Sequence, residues 1–600
     1  MEGKINDSLQ SDVEMHTFGN GDLVDGGRRR HYESQKDDDS LTQIGKKPVM
    51  KRKFGFLAIL GFSCIVQSTW ISPFIPALSM LDCRSRVLSS PGRTLANSYI
   101  SGGPGGLIFG FLLIWMGTLA VFIGLAELSS IAPTSGGQYH WVSMLAPKSC
   151  FKGFSYVTGT KVQKSLLPIM SKPLTVSTGW LTVTGWQAAV MSSGYVSATL
   201  IQGLIEVVKP SYTPHLWHGT LMMYSVVAFA VFCTTVLGRF LPKMEAGMLF
   251  IYIVGYFCVL IPIVWLGPHG DAKSVFRTFV NNGGWSSKTL SFFVGLTGNA
   301  FNFVGADSCY HMSEEIQNAS RVVPRAMVWS LIIDGTVGFT MYIGFLFSAG
   351  DLQAALDTDF IYPYIEVLVQ ALQSKAGVAL MLSLILLVDV GLMIGVTAAA
   401  SRMLWAFARD RGIPGWRRIS EVSFAYSDVA TIFSLGAQVN SHTSVPTAAV
   451  FTTTIFSVLI GLITVGSPVA FNDIISLCVG SLYASYLIAS ALLLVRRVQG
   501  KIKLSSAPEM ERRNNFPGMA GDLTWGPWRV PEPFGTIINV IGVLYLIVLI
   551  FFTFWPPATP TTALTMNYDI VMLAGVAFLS SFYYYFWAYK TFNGPIIEIN

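Results

Sequence analysis

Residues 300–315 read AFNFVGADSCYHMSEE. An apolar run reaches Gly305 and is then interrupted by Asp307, His311, Glu314 and Glu315, in a chain otherwise built for lipid. A carboxylate at the bilayer centre costs roughly 2.5–3.5 kcal/mol on insertion scales, so Asp307 is expected to face a wet cavity or a cationic partner. Glycine lowers helix stability by about 0.8–1.0 kcal/mol against alanine, and backbone freed at such a point can bind a ligand. A helix break at Gly305 is therefore expected. The spacing from Asp307 to His311 and on to Glu315 puts all three on one face of the helix that resumes. Two roles stay open for Asp307: partner of a substrate amine or proton, or cap of the second half-helix. Glu314 and Glu315, close in sequence to Arg321 and Arg325, are expected to form solvated ion pairs.

The composition agrees with this reading. The 600 residues are 52% hydrophobic, 13% aromatic and 12% charged, against roughly 25% charged residues in soluble domains. Apolar runs near the ~20 residues needed to cross the hydrocarbon core recur along the chain, at 54–80, 104–125, 179–205, 216–237, 247–266, 289–312, 326–348, 376–406, 446–465, 470–495, 535–555 and 570–588. Only helices or closed barrels span lipid, so the expected fold class is all-α, a polytopic membrane protein of about twelve transmembrane helices. Residues 1–50 are polar, with RRR at 28–30 and DDD at 37–39 and no apolar h-region, and are expected to form a disordered cytosolic tail. The membrane domain is placed at 51–590 and a short cytosolic tail at 591–600.

Net charge is +6, but the basic residues sit between the apolar runs, which makes them a topology signal. If the tail with Lys46, Lys47, Lys51, Arg52 and Lys53 is cytosolic, alternate loops carry the remaining charge: Arg239 and Lys243; Arg321 and Arg325; Arg402, Arg409, Arg411, Arg417 and Arg418; Arg496, Arg497, Lys501 and Lys503. The loop 267–288, with Lys273, Arg277 and Lys288, dissents. Nucleic acid is not an expected partner; the bilayer is. The seven cysteines show no CxxC or CxxH spacing, so neither metal nor disulfide framework is expected. No GxSxG or HExxH motif points to an enzyme, and no cofactor is implied. His140 in GGQYHW reads as a helix-terminus or cavity residue.

The first span carries GFSCI at 61–65, at a depth similar to GADSC at 305–309 in the sixth. Paired glycine interruptions in corresponding positions of two halves mark inverted-repeat transporters, so a second break is expected at Gly61. The competing reading is that such glycines only let helices pack closely, as with GLIFG at 106–110. Asp389 in LILLVDVGLMIG is a candidate proton or amine partner by virtue of its depth in apolar sequence. Asp334 in LIIDGTVGF reads as a polar contact between helices.

Four stretches carry a family resemblance: GADSCYHMSEEIQNASRVVPRAM (305–327), ELSSIAPTSGGQYHWVSMLAP (127–147), GWLTVTGWQAA (179–189) and SRMLWAFARDRGIPGW (401–416). In this order they resemble the fungal GABA/choline permease branch of the amino acid, polyamine and organocation (APC) superfamily. The resemblance implies a five-plus-five inverted repeat of the LeuT-like kind with broken helices one and six. It implies secondary transport of a small amine or amino acid, such as GABA or choline, with proton symport and no chemistry on the substrate. Carried onto this sequence it places Gly61, Phe62, Ser63, Gly305, Ala306, Asp307 and Ser308 around the substrate. Phe303, Tyr310 and Trp186 are candidate aromatic walls, and Asp307 and Asp389 candidate coupling residues. The plasma membrane is the first expected location and the vacuolar membrane the second. A sensor built on a transporter scaffold is the alternative of a different class.

Three segments depart from the family pattern. Residues 71–97 bring Pro73, Pro76 and three arginines into an outer loop; 160–178 insert Lys161, Lys164 and Lys172; and 421–438 separate two otherwise contiguous motifs. They are read either as retained intron sequence, which would make the chain an inactive product of a mis-spliced gene model, or as loop insertions, whose closure cost grows slowly with length. A transcript read without gaps across all three decides for insertion.

Overall fold

The computed structural model describes residues 37–38, 41–42, 45–74, 101–146, 167–213, 215–350, 360, 363–420, 445–466, 468–504, 523–562, 566–592 and 598. Most of the first departing segment and all of the third lie outside them. Twelve long helices follow the apolar runs: α1 (Phe56–Gln67), α2 (Gly103–Ile131), α3 (Leu167–Val208), α4 (Leu216–Thr235), α5 (Leu241–Leu266), α6 (Lys288–Phe301), α7 (Ala319–Phe347), α8 (Lys375–Arg409), α9 (Thr447–Gly466), α10 (Pro468–Val498), α11 (Phe534–Thr553) and α12 (Asp569–Tyr583). Ten helical stretches among the described residues are long and apolar enough to cross a membrane. The remaining two are α9 and α6, the latter cut short by its break. The chain is a multi-pass membrane protein. Helix α3 begins at Leu167 rather than at 179, so the described part of the second departing segment continues the helix.

The outer helices leave large apolar side chains uncovered. Phe250, Phe257 and Ile261 of α5 and Phe578 and Leu579 of α12 are more than half exposed, as a helix against hydrocarbon requires. Trp217 and Trp265 stand exposed at one end of the bundle, and Tyr585, Trp587 and Tyr589 at the other, where amphipathic rings mark the two interfaces. Inside, α3 packs extensively on α8 and α2 on α7. In each pair the partners lie five helices apart in the chain, the spacing of a five-plus-five repeat.

Both first helices of the repeat are broken, but not both where the sequence reading puts the break. Helix α6 stops at Phe301 and resumes only at Ser308–His311, with Gly305 at φ +94° between them. Helix α1 runs unbroken through Gly61 and stops at Gln67. Ser68 then takes a left-handed φ of 41°, and the chain continues as a 3-10 segment, Thr69–Phe74. Gly61 is a packing glycine: a Cβ there would stand 2.6 Å from the Glu245 carbonyl oxygen of α5. What breaks α1 is the polar triplet Gln67-Ser68-Thr69. The Ser68 N–H and hydroxyl turn back to the Cys64 and Ile65 carbonyls, and the Gln67 amide donates to the Ser63 carbonyl at 3.2 Å and to Ser330 at 3.1 Å. The Thr69 hydroxyl donates to the Asp334 carbonyl of α7. Helix ends leave backbone groups without intrahelical partners, and these side chains satisfy part of that set.

Candidate functional site: a cavity between two helix breaks

The two breaks face each other. A Cβ at Gly305 would stand 2.6 Å from Val66 Cγ1 and 3.4 Å from the Val66 carbonyl oxygen. Beside them lies a cavity of about 50 Å³ lined by Val66, Gln67 and Ser68 of the first break and by Asn302, Val304 and Gly305 of the second. Helix α3 contributes Trp186 and Ser193, and α8 contributes Asp389. Among the described residues Asp389 is the one ionisable side chain in that wall, and no described Lys, Arg or His lines it. The Ser197 hydroxyl of α3 donates to Asp389 Oδ2 and fixes the carboxylate against the cavity.

Replacing Gly305 by alanine tests how tightly the breaks interlock. A side chain held at φ +94° carries backbone strain of about 1–3 kcal/mol, and displacing Val66 adds overpacking of about 1–3 kcal/mol. The expected result is a lowered thermal unfolding midpoint in detergent together with lost transport. An unfolding midpoint equal to the wild type would contradict the close approach.

Asp307 stands one layer deeper, buried and outside the cavity lining. Its Oδ2 accepts from Trp186 Nε1 at 3.1 Å, Gln138 Nε2 at 3.3 Å and the Tyr310 hydroxyl at 3.3 Å. His311 Nε2 lies 3.4 Å from the same oxygen. Asp307 makes no side-chain cap bond at the head of its half-helix. Its donors instead set the indole of Trp186, whose ring forms cavity wall. Of the residues carried over from the family resemblance, Gly305 and Trp186 line the cavity, and Asp389 joins them.

The others stand elsewhere. Phe62 and Ala306 are buried in packing, and Ser63 bonds Ser330 of α7 at 2.9 Å. Ser308 is buried, Phe303 packs on Phe111 at 5.2 Å between ring centroids, and Tyr310 packs on Trp141 at 4.8 Å. Phe303 lies in the irregular segment between the two halves, where helical spacing does not set side-chain direction, and Tyr310 lies in the resumed helix and turns to Asp307 and Trp141. Gln67, Ser68, Ser193, Ser197 and Asn302 complete the site and were not anticipated. Their signal is faint, since small polar residues are common wherever membrane helices pack.

Below Asp307, at the end where the basic loops gather, a layer of buried ion pairs seals the bundle. Arg409 of α8 grips Glu314 through two bonds of 2.8 and 2.9 Å, and Arg402 meets Glu315 at 2.9 Å. Glu314 and Glu315 are thus buried partners of α8, not solvated partners of Arg321 and Arg325. Only His311 of the expected Asp307 face meets the acid, because the helix ends there and turns to a 3-10 segment, Ser313–Glu315. Lys46 pairs with Asp410, which also accepts from the Tyr139 hydroxyl at 2.8 Å, and Arg497 of α10 pairs with Glu127 of α2. Burial lowers the Lys46 pKa, with Asp410 opposing. Burial, with Lys46 nearby, pushes His140 down to about 3 and keeps it neutral. The helix Gln138–Leu145, which supplies Gln138 and Tyr139, was not foreseen. Its eight residues are too short to give a periodic signal.

A cavity walled by two interrupted helices, closed at one end by ion pairs, defines a membrane transporter of the inverted-repeat class. The family model described as amino acid permease matches residues 77–576, well over half of the chain. A choline transporter of Saccharomyces cerevisiae is 28% identical over 493 residues, covering 82% of this chain and 76% of its own length. A GABA-specific permease of the same yeast is 24% identical over 578 residues, covering 94% and 87%. An amino-acid permease of Schizosaccharomyces pombe is 26% identical over 573 residues, covering 94% and 91%. The chain belongs to the amino acid permease family, within the APC superfamily.

Proposed function

We propose that the protein imports a small amine or amino acid, of the choline or GABA kind, by proton-coupled alternating access around the cavity between α1 and α6. The observation that carries this reading is Asp389, the single carboxylate of a cavity wall that holds no basic side chain among the described residues. A substrate ammonium group is the natural complement of that carboxylate, and charge-assisted hydrogen bonds are the strong ones. The Trp186 ring adds an aromatic face, where a desolvated cation gains about 2 kcal/mol. The names of the yeast choline and GABA relatives fit such a substrate. Alternating access then needs the buried layer of Glu314, Glu315, Arg402 and Arg409 to open while the outer side closes. Asp307 and Asp389 are the carboxyls through which a proton gradient would act, at the plasma membrane first and the vacuolar membrane second.

Purified protein in liposomes tests this with labelled choline and GABA under an inwardly directed proton gradient. Saturable, concentrative uptake of at least one of them, abolished by a protonophore, is expected. Saturable binding with no accumulation would overturn the reading in favour of a sensor.

A further inference from the structure

We propose that Asp307 and His311 form a two-residue proton site that links the cavity to the cytosolic ion-pair layer, an inference that rests on the transport reading above. His311 Nδ1 lies 2.9 Å from the Ser135 carbonyl oxygen. A carbonyl cannot donate, so Nδ1 carries the hydrogen. Nε2 then presents a lone pair in the neutral ring, and it stands 3.4 Å from Asp307 Oδ2, another acceptor. Both side chains are buried, and His311 Nε2 has no hydrogen-bond partner among the described residues, while the Tyr486 hydroxyl of α10 faces Asp307 as a further donor. Buried polar atoms are almost always paired, and an exception calls for an explanation.

One proton supplies it. Added to the pair, it turns two opposed acceptors into an imidazolium beside a carboxylate and brings the net charge of the pair from −1 to zero. The groups that face the pair provide no substitute cation. They are Trp186 of α3, Gln138, Tyr310 and Cys309 of the same turn, and Cys478, Tyr483 and Tyr486 of α10. No Lys or Arg stands beside the pair among the described residues named in these contacts.

The pair also has a connection on each side. Toward the cavity, Asp307 holds the indole of Trp186. Toward the cytosol, Ser135, whose carbonyl accepts from His311, donates its backbone N–H to Glu314 Oε1 at 3.3 Å. Glu314 is the carboxylate that Arg409 grips. A change of charge at the pair therefore reaches the ring beside the substrate and the ion pair that seals the exit. The proton enters with the substrate from outside and leaves to the cytosol when the layer opens.

The test uses full-length protein in liposomes, with His311→Gln and Asp307→Asn beside the wild type. Accumulation driven by a pH gradient is expected to fall by about 5- to 150-fold in each variant, the range of typical coupling energies. Exchange of labelled for unlabelled substrate without a gradient is expected to continue in His311→Gln. Gradient-driven accumulation by His311→Gln at the wild-type level, with the wild-type pH profile, would overturn the proton site while leaving the transport reading intact. Failure of the wild type itself to accumulate choline or GABA would instead overturn the transport reading and the proton site with it. Should the variants not fold, proton uptake on substrate binding is measured with wild-type protein in weakly buffered detergent. Uptake of a proton with the substrate supports the site, and no proton linkage overturns it.

Discussion

Asp389→Asn is expected to lower the uptake efficiency for a cationic amine by about 30- to 5,000-fold, corresponding to the 2–5 kcal/mol lost when one partner of a buried charge pair is removed. The asparagine is nearly isosteric and can still accept from Ser197, so the cavity keeps its shape and loses its charge. The loss should fall on substrate affinity, since the interaction is made in the bound state and nothing suggests that it is confined to the moving step. Labelled choline uptake over a concentration series checks this. An unchanged half-saturation concentration in the variant would mean that the amine does not meet Asp389.

Breaking the ion-pair layer is expected to have a comparable effect of the opposite kind. Arg409→Gln leaves Glu314 buried without its two strong bonds, and removing one partner of a buried pair costs roughly 3–5 kcal/mol. A transporter with a second conformation available escapes that cost by opening, so the variant should populate the inward-open state. Cys309, buried between the breaks and the ion-pair layer, then becomes reactive toward a thiol reagent applied from the cytosolic side. A Cys309 labelling rate equal to that of the wild type would show that Arg409 does not hold the exit shut. The guanidinium also lies 4.4 Å over the Trp405 ring, so lysine should restore the closed state only in part.

Much of this arrangement is legible in the sequence, and the parts that are not fail for identifiable reasons. Long apolar runs give the twelve helices, since a spanning segment must satisfy its backbone internally. The α6 break is legible because Gly305 and Asp307 both disrupt one apolar run. The α1 break is not, because the search for a matching glycine settles on Gly61, while the chain turns at Ser68, a residue that tolerates a left-handed backbone only with side-chain help. Gln67-Ser68-Thr69, three polar residues deep in an apolar span with Pro73 just beyond, is the signal that marks it. Asp389 is visible for the same reason as Asp307: an acid in apolar sequence demands a role. Which of the two acids meets the cavity depends on how α3, α6 and α8 are packed, and residue spacing within one helix carries no such information. The partners of Glu314 and Glu315 lie on α8, far along the chain, where nearby Arg321 and Arg325 offer a misleading local choice. His311 is the instructive case, since its importance comes from an unpartnered nitrogen that only the assembled bundle shows.

Transport by the proposed route requires substrate in the space between the Val66–Ser68 and Asn302–Gly305 breaks. A single cysteine at Ser193, in a protein otherwise free of cysteine, places a reporter in that wall. Labelled by a small thiol reagent from outside, with and without saturating choline or GABA, it measures occupancy directly. The account predicts that the transported substrate slows labelling in proportion to its occupancy and that the modified protein no longer transports. Labelling at the same rate with substrate present, in protein that still takes substrate up, would contradict it.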